Sequence, residues 1–363
     1  MILALALAAC TAKDAVDTAP PEPDLDQFEA QGPYWAGHAT QALSWGDRTV
    51  QVHLWYPQQA SSSFTPTPAL LPEDASRFAL LLEDAPPDCP TQAVAAVSDA
   101  PAAPVEAPLV LYSHCHECLA ISGATVSAFL ASHGYVVVAV DHTGNTLFDA
   151  LDETNLPLND DTLALRVGDL SAALDGVLDG RVALPDGLSI DATRIAAVGH
   201  SFGAVTVGTL AQQDGRIAAA MAHAAPMDNP LLGDVDITTL TQPLGFLVAT
   251  EDNSITELGN ELIRQNFAEA PGPAWKLELL DAGHWSLSDL CGLVDAFMPG
   301  CGEDERQTHE GETFTYLGPE IARSATRSAT LAFLRAALDD DPDAAAWLVS
   351  GRPSGLFEAE VSP

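Results

Sequence analysis

One pentapeptide in the sequence has the residue types and the position of a serine nucleophile. Gly-His-Ser-Phe-Gly at 199–203 has Ser201 at its centre and lies between an apolar segment (194–198) and an amphipathic one (202–212). A strand followed at once by a helix would put Ser201 on a sharp turn, with its hydroxyl exposed above the helix N-terminus. Because a serine hydroxyl needs a base before it can attack a carbonyl carbon, the pattern also requires a histidine nearby in the fold.

The base and its acid partner are expected later in the chain, in the order serine, acid, histidine. His284 lies in a loop after a predicted strand at 275–280, and we expect it to be the general base. Asp252 comes just after the apolar segment 244–249, and its carboxylate would accept the imidazole N–H and fix the tautomer. Two other carboxylates remain open as alternatives: Glu251, by a register slip, and Asp228, if the acid follows the previous strand.

The negative charge that develops on an attacked carbonyl oxygen needs backbone donors. One is expected to be the N–H of Phe202, the residue after the nucleophile. The other should come from the loop after a strand predicted at 108–113, and the sequence favours Cys115 or His116 without deciding between them.

The same loop allows a second interpretation, in which it binds a metal. It packs four nitrogen or sulfur ligands into a short stretch: His114, Cys115, His116 and Cys118. A metal-assisted hydrolase therefore stays open as an alternative. No second ligand cluster at zinc spacing accompanies the loop, however, and adjacent side chains cannot all point at one ion, so we predict no metal site.

The N-terminus has the pattern of a bacterial lipoprotein. Residues 1–9 are apolar and end in small residues directly before Cys10, the arrangement that lipoprotein signal peptidase reads. Cys10 would then carry the lipid, and we expect membrane contact only through this anchor. Residues 10–31, rich in proline, alanine and acidic residues, are typical of a disordered tether. The expected location is the periplasmic or cell-surface face of a bacterial membrane.

Export would permit disulfides among the cysteines that follow Cys10. Cys291 and Cys301 would close a short loop and form the first predicted bridge. Cys89 with either cysteine of the 114–118 loop is the second. The number of these cysteines is odd, so at least one stays free or pairs between chains.

Apolar and amphipathic segments alternate in the order strand, helix, strand over most of the chain. Continuous apolar strands separated by helices predict an α/β fold with a mostly parallel central sheet covered on both faces. We expect one domain over 32–340, with a surface excursion at 58–107 that could act as a lid, and a C-terminal tail over 341–363.

The charge of the chain excludes some partners. With 51 acidic residues against 14 basic ones, its formal net charge is -37. Such a surface repels nucleic acid and anionic membranes, so neither is expected to bind. Two explanations of the acidity stay open, adaptation to high salt and codon bias.

Several segments resemble the predicted dienelactone hydrolases and the platelet-activating-factor acetylhydrolases. They are 46–57, 109–114, 130–142, 199–203 and 283–291. The resemblance runs over roughly 33–338 and implies an α/β-hydrolase fold, cleavage of carboxylic esters through an acyl-enzyme, and no cofactor. The chain departs from these families at Cys115, where a glycine is usual. It also departs at 223–225, where the acetylhydrolases carry the acid, and this favours Asp252.

These observations support a serine esterase acting on a small-molecule, lipid or polymer ester. The acyl length, the alcohol portion and the preference for ester over amide are left open. A hypothesis from another class is a surface lipoprotein that uses a hydrolase scaffold only to bind a ligand.

Overall fold

A computed structural model describes residues 26–59, 72–309, 311–351 and 355–362. Its strands are β1 (Trp35–Trp45), β2 (Arg48–Gln58), β3 (Ala96–Ser98), β4 (Glu106–Ser113), β5 (Val136–Asp141), β6 (Ser189–His200), β7 (Ala219–His223), β8 (Leu244–Ala249), β9 (Ala274–Leu279), β10 (Glu303–Glu305), β11 (Thr313–Thr315) and β12 (Phe357–Ser362). Its α-helices are α1 (Pro72–Asp84), α2 (Ala124–Ser132), α3 (Leu147–Leu151), α4 (Asp160–Asp179), α5 (Phe202–Gln213), α6 (Thr256–Glu269), α7 (Pro319–Asp339) and α8 (Pro342–Ala346). Short 3-10 helices cover Asp26–Phe28, Ala120–Gly123, Ile237–Thr239, His284–Leu287 and Asp295–Phe297, and a π-helix covers Trp347–Gly351.

A ten-stranded sheet runs through the domain in the order β12-β9-β8-β7-β6-β4-β5-β2-β1-β3. The neighbours from β9 to β5 are parallel, while β2 and β12 join the two sides of this block in antiparallel register. Parallel strands point their carboxyl ends to one edge, so the loops after β4, β6, β8 and β9 meet there. These are the loops that carry the expected site residues.

Helices cover both faces of the sheet. Successive residues of a strand point to opposite faces, so each central strand contributes side chains to both cores. In β4, Val110 packs into the core under α2 and α7, whereas Leu109 and Leu111 pack into the core under α4, α5 and α6. Both faces of the central strands are thus buried, which explains why these strands are apolar without alternation. The mostly parallel α/β sheet predicted from the sequence is confirmed.

Both ends of the domain extend beyond the expected boundaries. Phe28, placed in the predicted tether, is fully buried, with its ring 6.2 Å from that of Trp347. The predicted tail supplies β12, which pairs with β9 along the sheet edge. Cys10 and the predicted leader lie outside the described residues. In the described segments, no helix combines the length and the apolar character needed to cross a membrane.

The predicted disulfide pairing is wrong. The structure joins Cys89 to Cys301 and Cys115 to Cys118, and it leaves Cys291 as a buried free thiol. The excursion at 58–107 returns to lie beside the loop that follows His284. Arg323, on α7, holds it there by donating to the Cys89 carbonyl at 2.7 Å. The returning excursion brings Cys89 next to Cys301, which is 212 residues away in the sequence. Spacing along the chain does not reveal this proximity.

Candidate active site

Ser201 lies on the sharp turn between β6 and α5 that the pentapeptide predicts. Its backbone has φ 57° and ψ -121°, a conformation that L-residues rarely adopt. The turn is held from the side, since the Ser201 N–H donates to the carbonyl of His223 on β7 at 2.9 Å. Such strain persists only where the surrounding structure imposes it, and it is typical of a nucleophile elbow.

The two glycines of the pentapeptide are required by close backbone packing. A Cβ on Gly199 would collide with the Gly203 carbonyl, and a Cβ on Gly203 would collide with the Ser113 carbonyl at the end of β4. The first contact lets the chain fold back on itself at Ser201. The second presses the start of α5 against the end of β4, so that the serine and the loop after β4 are neighbours.

His284 and Asp252 form a buried pair at the same edge of the sheet. The Nδ1 of His284 lies 2.7 Å from Oδ2 of Asp252. The other carboxylate oxygen of Asp252 accepts the backbone N–H groups of Ser254 and Ile255, each at 2.9 Å. Because both carboxylate oxygens accept hydrogen bonds, the carboxylate is fixed in place, and it fixes His284 with Nδ1 protonated and Nε2 free to act as a base.

The two alternative acids are engaged elsewhere. Glu251 is buried but accepts from Arg306 at 2.8 Å and from the Thr308 hydroxyl at 2.6 Å. Asp228 accepts the N–H of Ile237 at 3.2 Å. Of the three carboxylates considered from the sequence, Asp252 is therefore the one that the structure brings to His284.

His200 links the serine turn to the histidine loop. Its Nε2–H donates to the carbonyl of His284 at 3.0 Å, and the two rings lie 4.9 Å apart. In the described part of the chain, no hydrogen bond joins the Ser201 hydroxyl to His284. Bonds between a nucleophile and its base are often long in unliganded enzymes and shorten when substrate binds.

Residues 114–118, which we call the oxyanion loop, lie beside the serine turn. The ring of His116 meets that of Phe202 edge to face at 5.9 Å. Phe202 is the first residue of α5, so its N–H has no partner within the helix. The Cys115 side chain is fully buried and bonded to Cys118, which directs its Cβ into the protein. The cysteine in place of the usual glycine therefore does not cover the backbone N–H groups of the loop with its side chain.

The disulfide also bears on the metal interpretation of this loop. The sulfurs of Cys115 and Cys118 are bonded to each other and are not thiolate ligands in this structure. Across the ranges that the structure covers, no group of three or more His, Cys, Asp or Glu side chains is arranged to hold a metal ion.

Arg166 lies against the oxyanion loop, a placement that the sequence did not predict. It lies on α4 and is almost completely buried. Its Nε and two terminal nitrogens reach five acceptors: Thr206 Oγ1, Asn145 Oδ1, Ser113 Oγ and the carbonyls of His114 and Cys115. Its guanidinium also stacks over the Phe202 ring at 4.6 Å. The available signal was its spacing, because Arg166 shares the inward face of α4 with Leu163, Val167 and Leu170.

Comparison with known proteins agrees with this architecture. No family model matches the sequence. The platelet-activating factor acetylhydrolase of Bos taurus is 26% identical over 294 residues, which are 69% of this chain and 62% of that protein. Ferulic acid esterase from Streptomyces cinnamoneus superposes with a TM-score of 0.64 at 25% identity, covering 89% of this chain and 94% of that one. Together with the sheet and the serine turn, these similarities show that the chain has an α/β-hydrolase fold and resembles platelet-activating factor acetylhydrolase and ferulic acid esterase.

Proposed function

We propose that the protein hydrolyses carboxylic esters through an acyl-enzyme formed on Ser201. The observation that carries the proposal is the buried pair of His284 and Asp252, 2.7 Å apart, beside a serine held in a strained turn. One relative is named an acetylhydrolase and the other an esterase, which supports an ester as the substrate.

In the proposed reaction, Nε2 of His284 takes the proton of the Ser201 hydroxyl while Oγ attacks the ester carbonyl carbon. The carbonyl oxygen becomes an oxyanion, which the N–H of Phe202 and an N–H of the oxyanion loop stabilise. The tetrahedral intermediate collapses, and the alcohol leaves with the proton from His284. A water then gives a proton to His284 while its oxygen attacks the acyl carbon. The second tetrahedral intermediate collapses, Ser201 leaves with the proton from His284, and the carboxylic acid is released. Asp252 stays ionised and stabilises the imidazolium at both stages.

The test is labelling with a fluorophosphonate, which phosphonylates an activated serine, combined with hydrolysis of nitrophenyl esters of increasing acyl length. Wild type should be labelled and active, and Ser201→Ala should be neither. Tight binding of esters without turnover or labelling would instead favour the ligand-binding alternative. The chain-length series would assign the acyl preference.

We further propose that the protein is exported and anchored through a lipid on Cys10. The support is the run of small residues before Cys10 and the two disulfides, which form mainly in oxidising compartments. Metabolic labelling with a fatty acid in a bacterial host should mark wild type and not Cys10→Ser. Equal labelling of both proteins would refute the anchor.

A further inference from the structure

The oxyanion loop has two backbone N–H groups with no acceptor. In the described part of the chain, neither Cys115 nor His116 donates its N–H to a protein atom, while the carbonyls on the other side of the same peptide groups are taken. A trans peptide points its C=O and its N–H in opposite directions. Whatever fixes the carbonyls of His114 and Cys115 therefore also aims the N–H groups of Cys115 and His116.

We propose that Arg166 is a positioning residue that sets the orientation of these two peptide groups and so forms the oxyanion hole. One terminal nitrogen donates to the carbonyl of His114, and the other lies 3.5 Å from the carbonyl of Cys115. Both N–H groups are thereby turned away from the buried guanidinium. The inference rests on the proposed ester hydrolysis, because an oxyanion hole has meaning only for that chemistry.

His114 supports the same orientation through its tautomer. Its Nε2 accepts the N–H of His142 at 3.1 Å, so Nδ1 must carry the proton, and it donates to the Cys115 carbonyl at 2.7 Å. Burial, together with the nearby charge of Arg166, holds the pKa of His114 well below its usual value. The ring therefore stays neutral and keeps this tautomer at neutral pH.

Arg166 also fixes a side chain of the loop through Asn145. The Asn145 side-chain oxygen accepts from Arg166 at 2.5 Å, and its amide nitrogen donates to Nδ1 of His116 at 2.8 Å. Nδ1 of His116 is thus an acceptor, and the proton is on Nε2, a nitrogen that lies 3.3 Å from Oε1 of Glu117. The guanidinium consequently holds both the backbone of the loop and the partly buried imidazole of His116.

A buried chain of polar groups connects Arg166 to a negative charge. Ser113 Oγ accepts from Arg166 at 3.0 Å and lies 3.0 Å from Nε2 of His142, whose Nδ1 lies 3.0 Å from Asp169. Ser113, His142 and Asp169 repeat the serine, histidine, acid order of the candidate site, but all three are completely buried. We assign this second array to holding Arg166 and the end of β4, since no substrate can reach it.

The experiment uses Arg166→Met and Arg166→Lys, with Arg194→Met as the matched control. Arg194 lies on β6, pairs with Asp191 and Asp339, and makes no contact with the oxyanion loop. Loss of one oxyanion donor lowers kcat by about 10²- to 10³-fold, and we expect at least 10²-fold for Arg166→Met with KM within about threefold. Arg166→Lys keeps the charge but cannot reach both carbonyls, so we expect an intermediate loss. Arg194→Met should keep wild-type kcat.

A second readout separates positioning from general support of the fold. A boronic acid forms a tetrahedral anion on the serine, whereas an alcohol of similar shape has no electrophilic centre and forms no bond to the serine. Arg166→Met should weaken binding of the boronate in proportion to kcat and leave binding of the alcohol unchanged. If the methionine variant does not fold, the lysine variant carries the same comparison. Equal loss of both ligands, or unchanged kcat in a folded variant, would overturn the inference. Absence of any turnover or labelling in wild type would instead refute the proposed ester hydrolysis.

Discussion

Acid should destabilise this protein steeply, because several of its histidines are buried in neutral form. Five of them are buried and have a pKa lowered chiefly by burial: His38, His114, His142, His200 and His223. The pKa falls to about 3 for both His38 and His223. In the unfolded chain a histidine titrates near 6.5, so below that pH the unfolded state binds protons that the folded state does not.

The sign and the size of the effect follow from this difference. Stability is complete above about pH 6.5 and is lost as the pH falls from there towards the folded-state pKa. Between pH 7.5 and 5.5 one such histidine removes about 1.4 kcal/mol, so His38 and His223 together remove about 3 kcal/mol, and the other three act in the same direction. The free energy of unfolding of a typical domain is only about 5–15 kcal/mol. Burial raises the pKa of Asp169 and Asp289, so these two carboxyls stabilise the folded state as the pH falls. They oppose the effect of the five histidines but are fewer in number.

The measurement is urea unfolding followed by tryptophan fluorescence at pH 7.5, 6.5 and 5.5. His223→Gln, which removes one proton-binding group, should reduce the loss by about 1.4 kcal/mol. His309 is exposed, so His309→Gln should leave the loss unchanged. If the free energy of unfolding of wild type changed by less than about 1 kcal/mol over this range, the argument from burial would be refuted.

Three further outcomes are expected at the site. Asp252→Asn should lower kcat by about 10⁴-fold because the amide has no charge to stabilise the imidazolium and allows the wrong tautomer, whereas Glu251→Gln, which does not touch His284, should keep most of its activity in the same ester assay. Gly203→Ala should lower the free energy of unfolding by about 2 kcal/mol or more in urea titrations, since its Cβ meets backbone, while Gly215→Ala, with open space around it, should not. Reduction of the disulfide in the oxyanion loop should lower kcat about tenfold or more in a variant that lacks the other bridge, and unchanged kcat after reduction verified by mass spectrometry would contradict it.

The sequence predicts the fold and the serine turn well because both depend on local patterns. The strand predicted at 108–113 is β4, Glu106–Ser113, and the strand predicted at 275–280 is β9, Ala274–Leu279. The glycines of the pentapeptide are needed by contacts that recur wherever a strand turns directly into a helix. Asp252 could be placed because it follows a strand at the edge where Ser201 and His284 also lie.

Features that depend on distant packing were not predictable in the same way. The bridge between Cys89 and Cys301 needs the excursion to return against a loop more than 200 residues later. The segment that forms the edge strand β12 is partly acidic and exposed, as an unpaired edge requires, and such residues give little indication of a strand. Arg166 carries a charge, and a charged residue on a helix is normally assigned to the surface.

Cys115 shows how a departure from a family pattern can be compensated. The families that the sequence resembles usually have glycine there, and a Cβ at this position has two conceivable effects, a narrower oxyanion hole or a change in which amide donates. The structure turns that side chain inward and bonds it to Cys118, whose Cα lies 5.3 Å away, with Glu117 between them at φ 55°. The cross-link closes the loop on one side while Arg166 holds its carbonyls on the other. Glycine allows peptide groups to flip, so replacing it with a bonded cysteine removes freedom that an oxyanion hole does not need. On this reasoning Cys115→Gly together with Cys118→Ala should lower kcat while Arg166 stays in place, and a double variant with full kcat would show that the arginine alone sets the loop.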